Sequence, residues 1–92
     1  MKVSVKVFAG LRDIMEREVL VTLPEGARIK NLLDELSGRY PDLSAALFES
    51  PDVLLPYVNI LINGRNIHFI DNLNTGLRES DIIALFPPTG GG

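Results

Sequence analysis

An α+β fold, with one main helix laid across a mixed sheet of four to five strands, is predicted by three features of this 92-residue chain. Residues 2–8 alternate, with Val3, Val5 and Val7 on one face and Lys2, Ser4, Lys6 and Phe8 on the other, as a half-buried strand requires. Ile29, Leu32, Leu33 and Leu36 recur at i, i+3, i+4 and i+7, an apolar stripe that suits a helix packed on a sheet. Asn63-Gly64, set between apolar runs, supplies the left-handed backbone of a tight hairpin.

Each element follows in order. After a connection holding Gly10, residues 19–23 form a second strand that pairs with the first as a hairpin and is closed by Pro24-Glu25-Gly26. The helix starts near Arg28, where Ala27 offers no capping oxygen, and is expected to end at Gly38 and Pro41. Residues 42–56 are irregular: Ala45, Ala46, Leu47 and Phe48 suit one or two helical turns, and Pro51 and Pro56 follow, so this reads as a surface excursion. Alternation returns in residues 57–62, with Val58, Ile60 and Ile62 inward. A short edge strand is expected over 66–70, a polar turn over 72–81 and a last strand over 82–86. First and last strands can lie side by side in the middle of such a sheet, which is the β-grasp arrangement.

Composition narrows the function. A chain of this length with 46% hydrophobic residues accommodates one folded domain, expected over residues 1–88 with a tail at 89–92. The net charge of −3, with basic residues scattered, argues against a nucleic-acid groove. The absence of cysteine excludes disulfides, thiolate metal sites and nucleophilic thiols. Met1-Lys2 runs straight into the first strand and no apolar stretch of about 18 residues occurs, so a cytoplasmic protein without a membrane partner is expected.

The end of the chain is the most informative segment. Pro87-Pro88 stops the last strand, because proline has no N–H for the ladder and fixes φ near −65°. From there, polyproline-like geometry could carry residues 87–92 roughly 15–20 Å from the domain. Gly90-Gly91-Gly92 has no side chains to obstruct a narrow channel. Glycines at a terminus are also compatible with a passive frayed end. The rigid launch from a central strand by Phe86-Pro87-Pro88 favours a working tail.

A terminal carboxylate is ionised at neutral pH and is a poor electrophile, so it needs activation before anything is attached to it. This chain has no GxxxxGK[ST] loop for ATP phosphates and no Ser/His/Asp or Cys/His set. Activating machinery must therefore reside in another protein.

The segment Phe86-Pro87-Pro88-Thr89-Gly90-Gly91-Gly92 resembles the FPP-x-x-Gly-Gly terminus of the small subunit of molybdopterin synthase and of the MoaD/ThiS-like, ubiquitin-like sulfur carriers. The resemblance extends to Phe8-Ala9-Gly10-Leu11-Arg12-Asp13, Leu32-Leu33, Asn63-Gly64-Arg65 and Asp81, and so spans essentially the whole chain. The 42–56 excursion departs from the compact bacterial members and is more like the longer, archaeal MoaD/SAMP-like ones. The resemblance implies an E1-like (MoeB-like) adenylating enzyme that uses ATP and Mg²⁺ to activate Gly92, after which a persulfide source yields a thiocarboxylate. It also implies a molybdopterin synthase large subunit (MoaE-like) into which the tail delivers sulfur, the chain itself binding no cofactor and catalysing nothing alone. Related carriers serve tRNA thiolation or thiamine-type synthesis, and ubiquitin-like modifiers use the same activated glycine to form isopeptide bonds with lysines of target proteins.

Gly92 and Gly91 are accordingly the expected reacting end, with Pro87, Pro88, Thr89 and Gly90 as the segment threaded into the partner. Phe86, Leu61 and Phe8 are expected on the sheet face away from the helix, as an apolar docking cluster against ordinary scattered surface apolars. Arg12, Arg65 and Arg78 suit docking charges or solvated surface, and Asp34 and Glu35 a solvated helix face. His68 lacks the partners of a catalytic or metal-binding histidine. Lys2, Lys6 and Lys30 are candidates to accept a conjugated tail in a modifier system.

Overall fold

In the computed structural model, which describes residues 1–88, a five-stranded mixed sheet runs in the order β2-β1-β7-β5-β6. The strands are β1 (Lys2–Val7), β2 (Glu18–Thr22), β5 (Asn59–Ile62), β6 (Arg65–Asn66) and β7 (Ile82–Phe86). A separate two-stranded hairpin, β3 (Phe48–Ser50) with β4 (Val53–Leu54), lies outside it. Strands β1 and β7 pair in parallel at the centre, Val5 opposite Ile83 and Val7 opposite Leu85, while the other pairings are antiparallel.

Alternation decides which face is buried. Val3, Val5, Val7, Val21, Ile60, Ile62, Ile83 and Leu85 point to one side, where helix α1 (Ile29–Arg39) covers them with Ile29, Leu32, Leu33 and Leu36. The helix starts where expected, at Arg28, whose N–H donates to Asn31 Oδ1 at 2.8 Å, while the Ile29 N–H donates to the Thr75 carbonyl at 2.9 Å. Its end needs correction. Gly38 does not end it, since the helix runs through to Arg39 and closes with the Tyr40 N–H on the Leu36 carbonyl, just before Pro41.

The 42–56 segment is more than a surface excursion. Its expected helical turns are present as α2 (Leu43–Leu47), but Leu43 and Leu47 are fully buried and extend the core beyond the end of α1. The β3/β4 hairpin follows, its turn containing Asp52 at φ 62°. Residue 57 is not in the next strand either: Tyr57 has φ 70° and is exposed, so β5 begins at Asn59.

Asn63 and Gly64, at φ 49° and 86°, make the two-residue turn between β5 and β6. The edge strand is shorter than expected, because Asn66 Oδ1 accepts the His68 N–H at 2.9 Å and bends the chain into a 3-10 turn over Ile67–Phe69. Asp81 then fixes the start of β7. Its carboxylate accepts from Asn63 Nδ2 at 2.8 Å and from the Arg78 N–H at 2.7 Å, and Asn63 Oδ1 accepts the Ile82 N–H at 2.9 Å.

Candidate functional site: the sheet face at the end of β7

The face of the sheet opposite α1 carries the alternate residues of every strand. Its middle is apolar, formed by Ile82, Ala84 and Phe86 of β7 with Leu61 of β5, where Leu61 stands opposite Ala84. Ile82 is 44% exposed and the others are half-buried, and no element of the described residues lies over them.

At the end of β7 the packing becomes specific. Parallel pairing of Val7 with Leu85 puts the next residues, Phe8 and Phe86, side by side on the open face. Phe8 stays extended, with its N–H on the Leu85 carbonyl at 3.2 Å. The two rings stack with centroids 4.5 Å apart and planes 6° from parallel. Arg12, on the 3-10 turn Ala9–Asp13, holds its guanidinium 5.2 Å from the Phe8 ring centroid, steadied by a 3.1 Å bond from Nε to the Val7 carbonyl. Pro87 and Pro88 follow, half-buried.

Phe8, Phe86 and Leu61 thus lie on one face, and the structure brings Phe8 and Phe86 into contact. Thr89, Gly90, Gly91 and Gly92 lie outside the described residues. Arg12 was open between docking and solvated surface, and its place over Phe8 is visible only once the 3-10 turn folds back. Ile82 and Ala84 were missed as members of the face, although they share the period-two phase of Phe86. Lys2, Lys6 and Arg12 lie at the rim of this side together with Glu18, opposite Lys6, and Glu79, whose Oε1 accepts the Lys2 N–H at 3.0 Å.

Among the described residues, no group of three or more His, Cys, Asp or Glu is placed to hold a metal ion. His68 is exposed and packs edge-on against Phe69 at 5.2 Å. An open groove of about 560 Å³ lies on the helix side, lined by Asp34, Ser37, Phe48, Glu49 and Asp52 among others. Contiguous exposed apolar surface of the kind at the end of β7 marks protein–protein or ligand contact sites in other proteins.

The ThiS family model matches residues 5–92. Small archaeal modifier protein 3 of Haloferax volcanii is 30% identical over 93 residues, covering all of both chains. The solution structure of small archaeal modifier protein 1 from Methanosarcina acetivorans superimposes with a TM-score of 0.85 at 37% identity, over 99% of this chain and 96% of that one. The sulfur carrier protein CysO of Mycobacterium tuberculosis is 28% identical over 69 residues, 73% of this chain and 74% of the other. This chain has the β-grasp fold and belongs to the ThiS family, among the ubiquitin-like sulfur carriers and small archaeal modifiers.

Proposed function

We propose that the chain is a sulfur carrier whose Gly92 carboxylate is adenylated by an E1-like enzyme and converted to a thiocarboxylate. Attack of the carboxylate on the α-phosphorus of Mg²⁺-bound ATP releases pyrophosphate and makes the terminal carbonyl an electrophile. The outer sulfur of a protein persulfide then displaces AMP to give an acyl disulfide, and a second thiol of the partner attacks the donor sulfur, forming a disulfide with it and releasing the thiocarboxylate. The activating enzyme supplies ATP, Mg²⁺ and the catalytic groups, and this chain supplies the docking face and the tail. The observation that carries the reading is the Phe8–Phe86 stack, which anchors the root of the tail on an uncovered apolar face rimmed by Lys2, Lys6, Arg12, Glu18 and Glu79. Such a face suits a partner with an apolar centre and a rim of complementary charges.

Incubation with candidate E1-like enzymes, ATP and a sulfur donor, followed by intact-mass measurement, tests this directly. Exchange of one oxygen for sulfur at the terminus is the expected result, and an unchanged mass with an enzyme that activates other family members defeats it. As sulfur acceptor we favour molybdopterin synthesis through a large synthase subunit, because Phe86-Pro87-Pro88 matches that branch. Reconstitution of the thiocarboxylated chain with that subunit and its sulfur-free precursor checks this.

A second reading has its own support, in full-length identity to a small archaeal modifier protein. In it, the activated Gly92 forms isopeptide bonds with lysines of other proteins. Glycine remnants of this terminus on target lysines, lost when Gly92 is deleted, distinguish conjugation from sulfur transfer alone.

A further inference from the structure

The two edges of the sheet differ. On one side β6 offers only Arg65 and Asn66, but on the other β2 is a five-residue strand with no neighbour on its outer side among the described residues. The ladder between β1 and β2 shows which backbone groups that edge exposes. Met1 and Leu23 exchange bonds at 2.8 Å each, and the Val7 N–H donates to the Arg17 carbonyl at 3.0 Å. In this register Arg17, Val19, Val21 and Leu23 turn their N–H and C=O toward β1. Those of Glu18, Leu20 and Thr22 therefore point outward, and no other strand takes them up. Leu20 is also 67% exposed, the highest value among the large aliphatic side chains of the described surface.

We propose that this edge is a self-association surface on which a second copy adds its own β2 in antiparallel orientation, with the two-fold axis at Leu20. The order Glu18-Val19-Leu20-Val21-Thr22 is suited to its own reversal. Leu20 faces Leu20, and Glu18 faces Thr22, so that no like charges oppose each other. Val19 faces Val21, and half-buried Val19 gains cover. All three outward-facing residues meet outward-facing partners, so every free N–H and C=O of the edge finds a bond. Pro24, without an N–H, stops the ladder just beyond. An unrelated extended peptide could use the same edge, but this symmetry is required only by a second copy. Strand β1 separates β2 from β7, so the Phe8–Phe86 stack stays uncovered in the pair and the two β7 strands point in opposite directions.

Because the chain has no cysteine, single cysteines report the register. Residues directly opposite in a bonded antiparallel pair have Cα atoms about 5.5 Å apart, within disulfide range. Leu20→Cys should form a disulfide-linked dimer under mild oxidation. Thr22→Cys alone should not, whereas a mixture of Glu18→Cys and Thr22→Cys should cross-link to each other. In sedimentation equilibrium the unmodified chain should show reversible dimerisation, and Leu20→Lys, which sets like charges face to face, should weaken it roughly tenfold. Leu20→Pro removes only an outward N–H, so it should abolish association while circular dichroism shows the sheet intact. A chain that stays monomeric at millimolar concentration, or a dimer in which Leu20→Cys cross-links no faster than Thr22→Cys, overturns the proposal.

Discussion

Phe8 and Phe86 stack ring on ring at 4.5 Å, although they are separated by nearly the whole chain, because parallel pairing of β1 with β7 ends with these two residues abreast. The residue that precedes Pro87 is thereby held by a residue outside its own strand. A double-mutant cycle of Phe8→Ala and Phe86→Ala should give a coupling energy of about 0.5–1.5 kcal/mol in denaturant unfolding. Additive losses would show that the stack contributes no more than separate burial of the two rings.

Leu61 lies on the same open face, half-buried and opposite Ala84. Leu61→Asp should leave the unfolding midpoint close to that of the parent chain while weakening binding to the activating enzyme, since an unpaired carboxylate is costly at the centre of an interface and tolerated in water. Calorimetric titration beside a thermal melt separates the two effects. Parallel losses of stability and binding would place Leu61 in the core.

Leu33 and Leu43 are fully buried, one on α1 and the other at the start of α2. Truncation of either to Ala should cost about 2–5 kcal/mol of unfolding free energy. The Leu43 value is the sharper check, because it measures whether the 42–56 segment is part of the core. A loss under about half a kcal/mol would return it to the status of a surface loop.

Tyr40 donates a hydrogen bond from its hydroxyl to the Glu16 carboxylate, tying the end of α1 to the loop before β2. That bond, joined by a backbone hydrogen bond, holds the Glu16 carboxyl below its ordinary pKa, and the same bond raises that of the Tyr40 phenol. A lowered folded-state pKa means that Glu16 contributes stability above its unfolded value and loses it as pH falls through the folded one. Tyr40→Phe should therefore move the Glu16 midpoint upward in carboxyl-carbon NMR titration. The stability gap between the two proteins should also narrow as the solution is acidified. An unmoved Glu16 midpoint would mean that the bond does not persist in solution.

The terminus itself gives the most direct check on the carrier function. Positioning of a reacting group matters at the level of about 1 Å, where misplacement costs about a hundredfold in rate. Deleting Gly92, or adding one residue after it, should abolish ATP–pyrophosphate exchange with the activating enzyme. Gly91→Ile should do the same by adding a branched side chain and excluding backbone angles open to glycine. Melting temperatures should not move, because the buried core of the described residues ends at Leu85. Undiminished activation of the extended chain would remove the tail from the mechanism.

Local patterns in the sequence determined much of this protein. The phases of β1, β5 and β7, the buried stripe Ile29, Leu32, Leu33 and Leu36, and the Asn63-Gly64 turn are all set by neighbours within a few residues. The shared face of Phe8, Leu61 and Phe86 follows from those phases. Tertiary structure decided what depends on distant partners. At the start of α1 the Arg28 N–H is met locally by Asn31, but the Ile29 N–H is met by the Thr75 carbonyl, which only the folded chain brings there. Leu43 and Leu47 looked like surface because a five-residue helix shows too little period to reveal a buried side, and they became core when α2 closed over the end of the sheet's apolar layer. Asp81 reads as an ordinary turn residue until the β5–β7 register sets Asn63 beside it. The Phe8–Phe86 contact depends in the same way on a parallel pairing between the two ends of the chain, which no local pattern can specify.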